Sequence, residues 1–66
     1  WRSMKTIGPG VREIKISERG QYRVFYVVRR RSGILVLHAF EKKTRRTSKL
    51  DIDLGKQRLT DHDRSI

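Results

Sequence analysis

The sequence predicts an α+β fold in which an antiparallel three-stranded meander precedes one C-terminal helix. Three observations carry this reading. Tyr22 to Lys43 sets two runs of valine, isoleucine, leucine and aromatics around a basic turn, Arg29-Arg30-Arg31-Ser32-Gly33. Val11 to Ser17 alternates apolar and polar residues, the period of a half-buried strand. Ser48 followed by Asp51 resembles a capping box, with aspartate as a shorter stand-in for the usual Glu or Gln.

In chain order, Trp1 to Gly10 shows no sustained period and reads as irregular, closed by the turn signal Gly8-Pro9-Gly10. A chain that opens on tryptophan, with Met4 behind it, reads as a fragment or a processed product. Val11 to Ser17 is the first expected strand, and the loop Glu18-Arg19-Gly20 then decides side-chain parity. A two-residue loop would set Ile14 and Ile16 beside Arg23 and His38. A three-residue loop, with Gly20 left-handed, sets them with the apolar face and puts Glu13, Lys15 and Ser17 beside Arg23 and His38. Burying an unpaired charge costs roughly several kcal/mol, so the second register is expected.

With Ser32 and Gly33 as the hairpin loop, Arg31 opposes Ile34, Val27 opposes His38 and Phe25 opposes Phe40. Tyr22, Val24, Tyr26, Val28, Leu35, Leu37 and Ala39 then form the expected core face. Arg23, Phe25, Val27, Arg29, Ile34, Val36, His38 and Phe40 form the other, where cations and an imidazole among aromatics suggest function. The helix is expected from Lys49 to about His62, docking through Ile52, Gly55 and Leu59. Its mid-helix glycine costs about 1 kcal/mol relative to alanine, so it needs tertiary support. The tail from Asp61 to Ile66 is expected to fray, and residues 1–66 read as a single domain.

Composition narrows the function classes. The 66 residues include no cysteine, which excludes a disulfide framework or a thiolate zinc site, and two histidines argue against any metal centre. The apolar runs are strand-length, too short to cross a bilayer, and no signal-peptide pattern appears, so a cytoplasmic protein is expected. Lysine and arginine number 17 against 7 acids, and a formal charge of +10 on so short a chain points to a polyanion. Nucleic acid is the commonest such partner; a merely solvated basic surface is the bland alternative. The run Glu41-Lys42-Lys43-Thr44-Arg45-Arg46-Thr47 would extend an anion-binding surface from the functional face.

The order GPGVREIKI, GQYRVFYVV, ILVLHAFEKKTRRT and a helix holding KQRL resembles the RelE/ParE toxin superfamily, in its phage-derived, HigB-like branch. The resemblance covers Trp1 to Leu59 and rests on four motifs in order. It implies a RelE-like fold lacking the family's N-terminal strand and helical hairpin. It also implies the toxin of a type II toxin–antitoxin module, many of which are ribosome-dependent mRNA endonucleases, with a helix-turn-helix antitoxin as partner. A homodimer, or the missing N-terminal segment, would cover the apolar face left open. No metal or organic cofactor is expected.

Such cleavage uses the ribose 2′-hydroxyl as nucleophile, so the protein must move protons and stabilise a dianionic phosphorane. By position, Arg23 matches a family arginine on the phosphorane, a role suited to its planar fork. Lys43 falls where relatives have an arginine near the leaving group, and Lys15 matches a strand cation suited to proton transfer. Histidine is the side chain that ordinarily changes charge near neutrality, so by chemistry His38 is the natural proton-transfer group. Glu13 stands where some relatives carry a second lysine, so their acid–base scheme does not carry over. Arg12, Arg29, Arg30, Arg31, Lys42, Arg45, Arg46 and Arg58 are the expected RNA contacts. The rivals are a ParE-like gyrase inhibitor, which needs no such cluster, and a non-catalytic basic nucleic-acid-binding remnant.

Overall fold

The computed structural model describes residues 1–29 and 33–64. Strands β1 (Arg2–Ser3), β2 (Val11–Ser17), β3 (Gln21–Arg29) and β4 (Gly33–Glu41) form one open antiparallel sheet in the order β1-β2-β3-β4. Helix α1 (Lys49–Arg64) follows and packs on one face. No helix among the described residues is long and apolar enough to cross a membrane.

The expected three strands are four. Trp1 to Gly10 is not irregular throughout: Arg2 pairs with Glu13 and Ser3 with Arg12. The Met4 N–H donates to Val11 O at 2.8 Å, closing the chain back on β2. The turn that permits this runs from Gly8 to Val11, whose N–H donates to Gly8 O at 3.3 Å. Pro9 stands second and Gly10, at φ 79°, third, as a type II turn requires. A short apolar segment with no period of its own thereby delivers Met4 and Ile7 to the core.

The β2–β3 connection has the expected three-residue length, because Ser17 pairs with Gln21. Its left-handed residue is Arg19 (φ 56°), not Gly20. Lys15 pairs with Arg23 and Ile14 with Val24, which is the expected parity.

The central hairpin differs from expectation. Arg29 pairs with Gly33, so Val28 opposes Ile34 and Val27 opposes Leu35. The expected loop residue Ser32 and the expected Arg31–Ile34 pair fall on residues 30–32, outside those described. A one-residue change in loop length flips every following side chain, and it moves Leu35 to the side of Phe25 and Val27. A β-bulge then intervenes: Tyr26 pairs with Val36 but Phe25 with His38, leaving Leu37 as the extra residue. After the bulge Arg23 pairs with Phe40, so His38 and Phe40 keep the face expected for them.

The core is consequently the other face of the sheet. Val11, Phe25, Val27 and Leu37 are buried against Met4, Ile7 and Leu59, with Leu35, Phe40 and Ile52 packed around them. The expected core residues Tyr22 and Val28 are exposed, as are Ile34 and Val36. Tyr26, in register between Arg12 and Val36, is the buried exception on that side. The physical reason lies in α1. Gly55 faces the sheet without a side chain, and a Cβ there would come within 3.1 Å of Phe25 Cδ2. The largest side chain of the buried set therefore fits beneath the helix.

Ser48 caps α1 as expected. The Asp51 N–H donates to Ser48 Oγ at 3.1 Å, and the Ile52 N–H donates to Ser48 O at 3.1 Å. The helix continues through Asp61 to Arg64 rather than fraying, with Asp63 paired to Arg29 of β3 at 2.8 Å. Ser65 and Ile66 lie outside the described residues.

Candidate nucleic-acid interface

Two cross-strand rows build the site on the helix-bearing face. One runs Arg2, Glu13, Phe25, His38 from β1 to β4, and the next runs Lys15, Arg23, Phe40. A concavity of about 250 Å3 is lined by Trp1, Arg2, Glu13, Lys15 and Arg23. A second, of about 170 Å3, is lined by Phe40, Lys43, Arg46, Ser48, Asp51 and their neighbours. Arg23 borders the first and its register partner Phe40 the second.

Arg23 is largely buried, its side chain only 11 % exposed, and its Nε stands 3.6 Å from Glu13 Oε1. That is an ion pair, too long for a good hydrogen bond. Arg23 Nε and Nη1 have no hydrogen-bond partner among the described residues, and neither does Glu13 Oε2. Arg2 Nη2 lies 3.8 Å from the same Glu13 Oε1. Arg2 and Arg23 thus flank one carboxylate, with Lys15 on the wall of the same concavity, so three cations stand against one anion there.

His38 sits two positions along β4 from Phe40, stacked on that ring at 5.1 Å and 17°. Its Nε2 is 2.7 Å from Asp51 Oδ1, and its Nδ1 is 3.2 Å from Arg58 Nη1. Arginine can only donate, so Nδ1 accepts and Nε2 carries the proton given to Asp51. This partner chemistry assigns the neutral imidazole. Asp51 Oδ2 accepts from the Ser48 hydroxyl at 2.6 Å. Burial pushes the Asp51 carboxyl up, but the hydrogen bonds from Ser48 and His38 outweigh it, leaving it below the ordinary value. Arg58 also donates to Leu37 O at 2.9 Å, meeting a carbonyl at the bulge.

The structure brings Lys15 and Arg23 together and sets His38 diagonally from Arg23, while Lys43 lies in the neighbouring concavity. Of the expected RNA contacts, Arg45 and Arg46 are exposed in the β4–α1 loop and Lys42 is half-buried at its start. Arg12 lies on the opposite side, its guanidinium 4.1 Å above the Trp1 ring. Arg29 is paired with Asp63, and Arg58 serves His38 and Leu37. Arg30 and Arg31 fall outside the described residues. Sequence reasoning missed Arg2, which enters only through β1. It also read Asp51 as a cap alone, although its position three residues after Ser48 leaves one carboxylate oxygen free for the sheet.

A family model described as "Phage derived protein Gp49-like (DUF891)" matches residues 1–60. No curated protein and no solved structure matches the chain.

Proposed function

Since the chain belongs to the Gp49-like family of phage-derived proteins, a family associated with toxin–antitoxin systems, we propose that it is a type II toxin that cleaves mRNA on the ribosome. The observation that carries the reading is the Lys15–Arg23 pair, which lines a concavity of about 250 Å3 and whose arginine keeps two buried donors unsatisfied. A scissile phosphate there accepts from the Arg23 guanidinium, and these bonds strengthen as the phosphorane gains its second charge. Lys15 lies beside it as a second cation and proton donor. Phe40 offers an aromatic surface to a neighbouring base, and Lys43, Arg45 and Arg46 continue the basic track along the strand.

The reaction draws on arginine and lysine for charge stabilisation, so it needs no metal. A helix-turn-helix antitoxin is the proposed partner and the cytoplasm the proposed site of action. The engaged ring nitrogens of His38 favour one rival, a basic module that binds nucleic acid without cutting it. Purified protein added to translating ribosomes decides between them. The expected result is mRNA ends bearing a 2′,3′-cyclic phosphate and a 5′-hydroxyl. Ribosome binding without new ends would favour the rival, and inhibition of DNA gyrase without either would favour a gyrase inhibitor.

A further inference from the structure

We infer that Glu13 is the proton acceptor of this cleavage, taking the hydrogen of the attacking ribose 2′-hydroxyl; the inference rests on the endonuclease reading above. A buried carboxylate is ordinarily saturated by hydrogen bonds, because an unsatisfied charged oxygen away from water is costly. Glu13 departs from that rule. Its side chain is 7 % exposed, yet Oε1 has only the long contacts to Arg23 and Arg2 at 3.6 and 3.8 Å. Oε2 has no hydrogen-bond partner among the described residues.

The surroundings make this more than a structural ion pair. Glu13 lines the same concavity as Lys15 and Arg23, with Arg2 and Trp1 completing its wall. At about 30 Å3 per water molecule, about 250 Å3 has room for several water-sized groups, enough for a phosphodiester and the adjoining hydroxyl. The charged groups facing Glu13 come from three strands: Arg2 on β1, Lys15 on β2 itself and Arg23 on β3. All three are cations, and each can hold the phosphate while the carboxylate oxygen meets the hydroxyl. A pocket that only bound phosphate would gain nothing from an anion at its wall, since like charges repel. A pocket that activates a hydroxyl requires an acceptor there.

The step balances as follows. The O2′ proton passes to the Glu13 carboxylate as the O2′–phosphorus bond forms. Arg23 donates to the non-bridging oxygens. The phosphorus–O5′ bond then breaks with its electron pair on O5′, which takes a proton from the Lys15 ammonium. The products are a 2′,3′-cyclic phosphate and a free 5′-hydroxyl. Solvent then restores the proton to Lys15 and removes it from Glu13.

The test compares the whole wild-type chain with Glu13→Gln on translating ribosomes, measuring single-turnover cleavage, ribosome affinity and thermal melting. Glutamine keeps the shape and an acceptor oxygen but is far too weak a base. Cleavage is expected to slow by about 100-fold or more, within the usual range for removing a general base. Affinity is expected to hold or tighten, because a negative charge leaves the phosphate site. A Glu13→Gln protein that cleaves at the wild-type rate, or loses cleavage only in step with affinity, overturns the inference and leaves the endonuclease reading standing. A wild-type chain that cuts nothing overturns both. Should Glu13→Gln fail to fold, Glu13→Asp decides: the shortened carboxylate is expected to slow cleavage without abolishing it, and cleavage at the wild-type rate overturns the proposal.

Discussion

The two faces of the sheet are built from similar residues and meet opposite fates. On one, Val11, Phe25, Val27 and Leu37 are at most 2 % exposed beneath α1 and the N-terminal segment. On the other, Ile14, Ile16, Tyr22, Val28, Ile34 and Val36 range from 39 % to 66 % exposed. Apolar content does not distinguish them, so it did not decide which face became the core. What decides is the covering. The β4–α1 loop and the Gly8–Val11 turn both return the chain to the same side, and Gly55 lets the helix settle over Phe25. The polar chemistry follows the cover: Glu13, Arg23 and His38 lie along the margin of the buried face, where low exposure makes their unsatisfied or paired atoms matter.

The comparison is most easily broken at Phe25. Phe25→Ala should cost about 3–5 kcal/mol, enough to abolish cooperative unfolding in so small a domain, whereas Ile34→Ala on the open face should cost about 0.5 kcal/mol or less. Urea melts of the two variants side by side would show it, and equal losses would mean that the faces are not distinct. Second in size is Arg23→Ala, expected to slow ribosomal cleavage about 100-fold, or roughly 2.7 kcal/mol, in the fraction that stays folded, while the melting temperature falls because Glu13 loses its buried partner. Arg23→Lys should recover little, because an ammonium lacks the two-pronged donor. Activity lost only through unfolding would make the arginine structural.

Gly55→Ala sharpens the picture of the cover itself. Crowding against Phe25 should cost about 1–3 kcal/mol, partly offset by about 1 kcal/mol of helix propensity, for a modest net loss. A stabilised variant would show the helix standing further from the sheet. The smallest effect concerns Asp51. Its folded carboxyl titrates below the unfolded one, so its contribution is present above the ordinary carboxyl value of 3.8 and lost as pH falls through the lowered value. Wild type and Asp51→Asn should therefore differ in melting temperature near neutrality and converge in acid. A constant gap at every pH would contradict the assignment. For the open face, sedimentation should show self-association that Ile34→Ser with Val36→Thr reduces, because exposed apolar patches seek cover.

Local signals were the legible ones. Ser48 and Asp51 marked the start of α1, and Ile52, Gly55 and Leu59 marked its docking side. The three-residue β2–β3 loop followed from keeping charge out of a core, and it gave the Lys15–Arg23 pair correctly. Keeping every charge outside nevertheless puts the core on the wrong face, because Glu13 is buried beside Arg23 while the exposed Arg2 reaches it from β1. The bulge at Leu37 has no signature in ILVLHAF, where every residue suits a strand. Strand β1 is two residues long, below what alternation can reveal, so Arg2 and its share of the concavity were invisible.

The bulge also sets how this chain can change in length. Leu37 separates β4 into two stretches of opposite phase, and Arg58 is tied to the carbonyl at the joint. Losing one residue between Gly33 and Leu37 could be absorbed by straightening the strand, with His38 and Phe40 still opposite Phe25 and Arg23. Losing one after Leu37 has no such slack and would turn the imidazole outward. Insertions and deletions among relatives should accordingly gather on the turn side of residue 37 and stop short of the segment that follows it.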